Sequence, residues 1–217
     1  MKVKWYGHSA FRLTTDKGFR IIIDPYQSGF GDGLTYQNIT DEADLVLTSH
    51  DHGDHNYVGS IKGKFTRIEK EGSYDKAGVK VTALPCFHDP SKGKERGTNL
   101  IFVIEADGLT VVHLGDLGHP LDADTLKKIG SVDLLLLPVG GFFTIDANQA
   151  TEVMNAIKPR LTIPMHYKTE KCTFPVGPVD EFTTGKKNVK VMGVTELDLS
   201  KQTLPKEREI VVLKYAL

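Results

Sequence analysis

Residues 49–55 read Ser-His-Asp-His-Gly-Asp-His. His50, His52, Asp54 and His55 thus set three imidazoles and a carboxylate side by side in one short stretch. Imidazole nitrogen and carboxylate oxygen are donors that a borderline divalent cation such as zinc prefers. In an extended segment the side chains of His50 and His52 point the same way. A turn at Gly53 lets Asp54 and His55 face a second, adjacent cation. The bland alternative is a solvated polar loop, but loops reach for Asn, Ser or Gly rather than for three histidines. Three further residues lie just beyond apolar runs: His88 in Pro85-Cys86-Phe87-His88, Asp116 in His113-Leu114-Gly115-Asp116, and His166 in Pro164-Met165-His166-Tyr167. Each alone is more readily a surface or core-edge residue. Beside the first cluster they become candidate ligands, because an open metal site draws its donors from several converging elements.

Short β-like runs punctuated by turns are expected to carry these residues. They are Lys2–Tyr6, Ala10–Thr15, Phe19–Asp24, Asp44–Thr48, Phe65–Glu69, Val79–Leu84, Asn99–Glu105 and Leu109–Leu114. Asp107-Gly108 between the last two is a hairpin signal. Residues 25–43, rich in Gly, polar and aromatic residues, read as a long functional loop. Beyond residue 120 the pattern alternates. A helix is expected over Asp122–Ile129, a strand buried on both faces over Val132–Pro138, a helix over Asp146–Ile157 capped by Asp146, and a strand over Leu161–Met165. Val179–Thr184 reads as a helical turn, and Val189–Val191 and Glu209–Tyr215 as late strands. Strands, then alternating β and α, then strands again suit an α/β sandwich of two face-to-face sheets with helices outside. No repeat or Pro/Ser-rich linker interrupts the 217 residues, so a single domain over 1–217 is expected.

The ordered set His50-x-His52-x-Asp54-His55, His88, Gly115-Asp116 and His166 resembles the metallo-β-lactamase fold superfamily, over essentially the whole chain. Trp5-Tyr6-Gly7-His8-Ser9-Ala10, Ile23-Asp24-Pro25, the stretch from His113 to His119 and Pro164-Met165-His166-Tyr167-Lys168 are similar to one branch of it. That branch holds predicted Zn-dependent hydrolases and includes ascorbate-6-phosphate lactonase. The resemblance implies a four-layer αββα sandwich, two mixed sheets face to face with helices outside, and a dinuclear metal centre along one edge. It assigns His50, His52 and His88 to one metal and Asp54, His55 and His166 to the other, with Asp116 as the bridge. Asp24 matches the family's first acidic motif and is expected to orient a ligand from behind rather than to coordinate. His8 is expected to line the site, with coordination as the lesser alternative. His113 reads as a core-edge histidine, whereas His119 could face the cleft or turn from it.

Two such cations imply a metal-dependent hydrolase. A shared water or hydroxide would attack the carbonyl carbon of a small ester or lactone, or the phosphorus of a phosphoester. The expected cofactors are two divalent ions, zinc first, with manganese, iron or nickel tolerated by the same donors. The catalytic candidates are Asp54, as acceptor for the attacking water, His8, and Tyr167, as donor to the oxyanion or leaving group. Ser9 and Ser49 lack a nucleophile-elbow context. A nuclease or phosphodiesterase of the same fold acting on RNA is the first alternative, and a non-catalytic metal-binding protein the second; the complete ligand set argues against the latter. A diiron redox protein would carry a carboxylate where this chain has His52. The chain has 27 basic and 28 acidic residues, a net charge of −1, so no nucleic-acid partner is expected. No apolar run reaches the roughly 18 residues of a membrane span, and a small-molecule substrate is the expected partner. The family forms dimers and larger assemblies, which leaves a homo-oligomer open. Cys86 and Cys172 lie far apart and read as buried inert thiols, so a reducing cytoplasm is the expected location. Lys92–Arg96 is better read as a solvated turn than as a contact to an anionic group. Phe142, Phe143, Tyr26 and Phe30 could wall a pocket or pack in the core.

Overall fold

Alternating apolar and polar residues give the early chain the pattern of sheet strands, and residues 1–217 of the computed structural model fold accordingly. In chain order the elements are β1 (Lys2–Gly7), β2 (Ala10–Thr14), β3 (Arg20–Ile23), β4 (Leu45–Leu47), β5 (Thr66–Ile68), β6 (Gly72–Lys76), β7 (Val79–Phe87), β8 (Thr98–Ala106) and β9 (Leu109–His113). They continue as α1 (Ala123–Ile129), β10 (Leu134–Pro138), α2 (Ala147–Ile157), β11 (Leu161–Met165), α3 (Val179–Thr183), β12 (Val189–Val191), β13 (Glu196–Asp198) and β14 (Glu209–Val212). One sheet has the order β13-β1-β2-β3-β4-β5 and the other β12-β14-β11-β10-β9-β8-β7-β6.

The two sheets pack face to face, as the αββα sandwich requires. Period-two alternation sorts the side chains. Ile21 and Ile23 of β3 enter the core between the sheets with Trp5, Phe11, Phe102 and Leu136, while Ile22 joins a second cluster on the opposite face. Tyr26, Leu34, Tyr36 and Ile39 belong to that second cluster, so the 25–43 loop covers the outer face of the first sheet. The helices lie after residue 120. Asp146 caps α2 with both halves of a capping box, its partner being Gln149, and α2 buries Ala150, Val153 and Ile157. No helix is long and apolar enough to cross a membrane.

Strand direction positions the site. β9, β10 and β11 run parallel, and β7 and β9 are both antiparallel to β8, so β7, β9 and β11 point the same way. Their C-terminal ends therefore reach one edge of the sheet, where His88, Asp116 and His166 follow. The Ser49 carbonyl, beyond β4, accepts the Leu100 amide at 2.9 Å and ties the first sheet's end to that edge. β6 and β13 were not expected from the sequence. Both are short and polar (GSYDK and ELD) and lie at or next to a sheet edge, where apolar alternation fades. β7 also runs to Phe87, three residues past its expected end.

Candidate metal centre

His50, His52, Asp54 and His55 follow β4, His88 follows β7, Asp116 follows β9 and His166 follows β11. His8 occupies the turn between β1 and β2. Three of the positions near the centre hold left-handed backbone, with φ of +50° at His8, +47° at Asp24 and +53° at His166. Such strain persists only where the surroundings impose it, and it concentrates at functional sites. Gly115 shapes the Asp116 turn with φ of +54°, and a Cβ there would come within 2.3 Å of the Asn99 side-chain oxygen. That same oxygen accepts the Asp116 amide at 3.0 Å, while the Asn99 amide group donates to the Leu114 carbonyl at 2.9 Å. Asn99 thereby fixes the backbone of a candidate ligand; nothing in the sequence pattern marks it.

The donors gather into three groups, each with one ligand atom per residue within 4.8 Å of the others. Two share no residue: His50, His52 and His88 form one, and His8, Asp54, His55 and His166 the other. The third, His50, His55 and Asp116, takes one histidine from each, so Asp116 links them. Its Oδ2 lies 3.2 Å from the Nε2 of His55, of His88 and of His166. These contacts do not serve as hydrogen bonds for His55, whose buried Nε2 has no hydrogen-bond partner. Ten buried side-chain polar atoms in the protein lack a partner, and seven belong to His8, His50, Asp54, His55, His88, Asp116 and His166. Buried polar groups are ordinarily paired, so their concentration here requires an explanation. A tetrahedral cation with bonds of about 2.0–2.1 Å spaces its ligands about 3.3 Å apart, close to the observed 3.2 Å. Divalent cations fit this donor set.

The network behind the donors sets their orientation. Asp24 is fully buried. Its Oδ1 accepts the Ser49 amide at 2.7 Å, and its Oδ2 accepts the Ser49 hydroxyl at 2.7 Å and the His55 Nδ1–H at 2.9 Å. Ser49 Oγ lies 2.9 Å from His50 Nδ1. The Nε2 atoms of His50 and His55 are thereby turned inward, as expected of ligands held from behind. His8 Nε2 meets Asp54 Oδ2 at 3.2 Å.

Electrostatics prepares the same donors. Burial, with His55 nearby, pushes His50 down to about 3, and burial with His166 nearby pushes His8 down to about 4. Both imidazoles are therefore neutral at pH 7. Burial also works against a charge on His55, but Asp116 and Asp54 outweigh it and hold His55 well above the usual histidine range. Burial opposes ionisation of Asp116 too, yet His166 and His55 keep it well below the usual carboxylate range. The carboxylates that favour positive charge on His55 would favour a cation at the same place.

Several expectations need adjustment. His8 belongs to the second donor group rather than merely lining the site. Tyr167, expected to donate to a reacting oxygen, is a core residue: it is 5% exposed and its ring centre lies 5.3 Å from that of Trp5. His113 is buried and structural, donating to the Ser9 carbonyl at 2.9 Å and accepting the Gly115 amide at 3.0 Å. His119 is likewise engaged, accepting the Phe87 amide at 3.1 Å and donating to the Pro120 carbonyl at 2.7 Å. Cys86 and Cys172 are buried free thiols, and burial pushes Cys86 up to about 12, which makes it inert.

Comparison with known proteins bears on the family. The family pattern described as a beta-lactamase superfamily domain matches residues 2–166. A UPF0173 metal-dependent hydrolase from Thermococcus onnurineus is 34% identical over 194 residues, covering 78% of this chain and 85% of that protein. A second, from Nitratidesulfovibrio vulgaris, is 30% identical over 203 residues, covering 81% and 82%. Among solved structures, a Thermotoga maritima protein assigned to the Zn-dependent hydrolases of the metallo-β-lactamase superfamily superposes with a TM-score of 0.82 at 37% identity. The match covers 98% of this chain and 97% of that one. With the two-sheet sandwich and the converging His/Asp donors at one edge, these similarities place the chain in the metallo-β-lactamase superfamily, among its metal-dependent hydrolases.

Proposed function

We propose that this hydrolase uses two metal ions, zinc by preference, to cleave a small ester, lactone or phosphoester. The reading rests on one observation: Asp116 Oδ2 stands 3.2 Å from histidine nitrogens of both donor groups, as a carboxylate shared between two cations would. His50, His52 and His88 would hold one ion. His55, His166, Asp54 and His8 would hold the other, with Asp116 between them. When bound, such ions supply a Lewis acid and lower the pKa of water toward neutrality. In the reaction the water oxygen bonds to the carbonyl carbon or phosphorus, and the C–O or P–O bond to the leaving alcohol breaks. His8 Nε2 steadies Asp54 through Oδ2, and Asp54 Oδ1, which has no hydrogen-bond partner, accepts the proton that water gives up. That proton is then delivered to the departing oxygen, so an acid and an alcohol leave and the enzyme is regenerated. Asp24 and Ser49 act from behind by keeping His50 and His55 in the ligating tautomer. The partner is a small molecule, in keeping with the net charge of −1.

Metal analysis of the purified protein, followed by a panel of lactones, aryl esters and phosphoesters with each metal restored, tests this reading. About two ions per chain are expected, with metal-dependent turnover of one class. Asp116→Ala should lose both ions and all measurable activity. His52→Ala, at an exposed position, should lose the ion of its own group while the fold stays intact. Full activity with one ion per chain, or two ions retained in Asp116→Ala, would overturn the proposal.

A further inference from the structure

Asp89 directly follows the candidate ligand His88 and is 1% exposed. Its carboxylate accepts four backbone amides. Oδ1 takes those of Ser91 and Gly93 at 2.8 and 3.0 Å, and Oδ2 those of Glu95 and Arg96 at 3.1 and 2.8 Å. Four charge-assisted bonds to one buried group order residues 89–97, while Lys92, Lys94 and Glu95 stay exposed as in a solvated turn. The loop's end is tied back to the centre, since the Gly97 carbonyl accepts the His88 amide at 3.0 Å. What this construction presents is the half-buried guanidinium of Arg96, its Cζ 5.9 Å from the ring centre of Phe143. The carboxylate paired with it is that of adjacent Glu95, at 3.5 Å, whose other oxygen accepts the Ser91 hydroxyl at 2.6 Å.

From Phe143 a run of aromatic rings leads to the donors. Phe143 meets Phe174 edge-on at 6.0 Å, Phe174 meets His8 edge-on at 6.1 Å, and the His8 ring centre lies 4.2 Å from that of His166. Phe142 adjoins Phe143 at 4.7 Å. It is 63% exposed and holds a φ of +61°. A bulky side chain that is both solvent-facing and strained is an outlier, and such outliers gather at ligand clamps. A cavity of about 690 Å³ elsewhere touches only His50 among the candidate ligands, and its Arg67 is already paired with Glu69 at 2.9 Å.

We propose that Arg96 and the Phe142–Phe143–Phe174 run are the substrate-recognition site, and that the substrate is a small organic anion with a flat apolar body. The anionic group lies on Arg96, the body lies along the phenyl rings, and the scissile bond lies at the His8–His166 end. The inference rests on the hydrolase reading above and names the substrate class of that site.

Binding separates the two ideas. Phenylacetate and its neutral counterpart phenylacetamide are titrated into the metal-loaded protein and followed by NMR. The anion should bind more tightly, and Arg96→Gln should cut that preference about 10- to 100-fold, the worth of a charge-assisted contact. Arg96→Lys should restore most of it, and Phe142→Ala should weaken both ligands alike. Metal content and melting temperature are recorded for each variant, and Arg96→Met, which also removes the charge, carries the test if Arg96→Gln does not fold. A preference undiminished in Arg96→Gln, as when the carboxylate binds only the metals, would overturn the proposal. So would the absence of any preference in the unmodified protein. In a parallel arm, turnover of mono-4-nitrophenyl glutarate is compared with that of neutral 4-nitrophenyl pentanoate, and Arg96→Gln should lower their kcat/KM ratio. If neither ester is turned over, ester hydrolysis fails as a reading while the binding result still decides the role of Arg96.

Discussion

Asp24→Asn is nearly isosteric, yet it should disturb both candidate metal positions at once. In the native protein Asp24 Oδ2 accepts two hydrogens, from Ser49 Oγ at 2.7 Å and from His55 Nδ1 at 2.9 Å. With its hydrogen given to Asp24, Ser49 Oγ is free to accept from His50 Nδ1 at 2.9 Å. With a cation bound, both histidines would carry their proton on Nδ1 and turn the Nε2 lone pair to it. In the variant Oδ1 still accepts the Ser49 amide, and an NH₂ group stands where Oδ2 was. That group donates. His55 Nδ1 must lose its proton to face it, and Ser49 Oγ must turn its hydrogen toward His50 Nδ1. Each change moves a proton onto Nε2, the atom that would coordinate. Loss of an orienting partner behind a ligand typically costs 10- to 100-fold in metal affinity, about 1.4–2.8 kcal/mol, and here the cost falls on one ligand of each donor group. Chelator competition on the folded variant, with metal content counted in parallel, measures it. Excess metal should recover activity, because the ligands are still present. Affinities within about two-fold of native for both ions would refute the relay altogether. A loss confined to one ion would refute the Ser49 arm.

Metal binding should also release protons. His50 and His8 are already neutral at pH 7, being pushed down to about 3 and about 4 by burial. His55 is held well above its usual value by Asp116 and Asp54 against the pull of burial, so a cation arriving at its Nε2 competes with a proton there. Affinity should therefore fall as pH drops, with release of about one proton at pH 7 when calorimetric titrations in buffers of different ionisation enthalpy are compared; zero release would contradict the assignment of His55. Gly118→Ala places a Cβ 2.3 Å from the His88 carbonyl carbon and 2.4 Å from the Asp89 nitrogen, both backbone atoms. Stability should fall by about 1–3 kcal/mol, the cost of overpacking, with loss of metal from the His88 group. An unchanged melting temperature and full metal content would show that the close approach carries no weight.

The candidate ligand pattern was legible in the sequence because four of its members fall within six residues and the others each follow an apolar run. Strands announce their ends, and a metal centre at a sheet edge uses those ends. The core strands were legible for the same reason: Leu134–Pro138 is buried at every position and reads as one continuous apolar run. Less legible was whatever depends on a partner distant in sequence. β6 and β13 are polar edge segments held by pairing with β7 and β1, and their own residues hardly alternate. Tyr167 adjoins a candidate ligand, but its ring packs on Trp5 in the core. A single histidine in a tight turn such as His8 carries no spacing signal; only the fold brings it 3.2 Å from Asp54.

The residues behind the ligands show why that boundary falls where it does. A metal ligand must be His, Asp, Glu or Cys, so its chemistry restricts its type and makes it visible. A supporting residue needs only a donor or acceptor in the right place, and many types supply one. Asn99 holds the Asp116 amide and the Leu114 carbonyl from a strand paired with β9, and its type suggests nothing of this. Asp89 looks like one more acid in a charged turn, yet it organises four amides and presents Arg96 beside the aromatic run. The candidate donors are thus written in residue identity, whereas the orientation of those donors and the proposed selection of substrate are written in geometry. Substrate class should accordingly respond to changes in the 89–97 loop and at Phe142 that leave every metal donor in place.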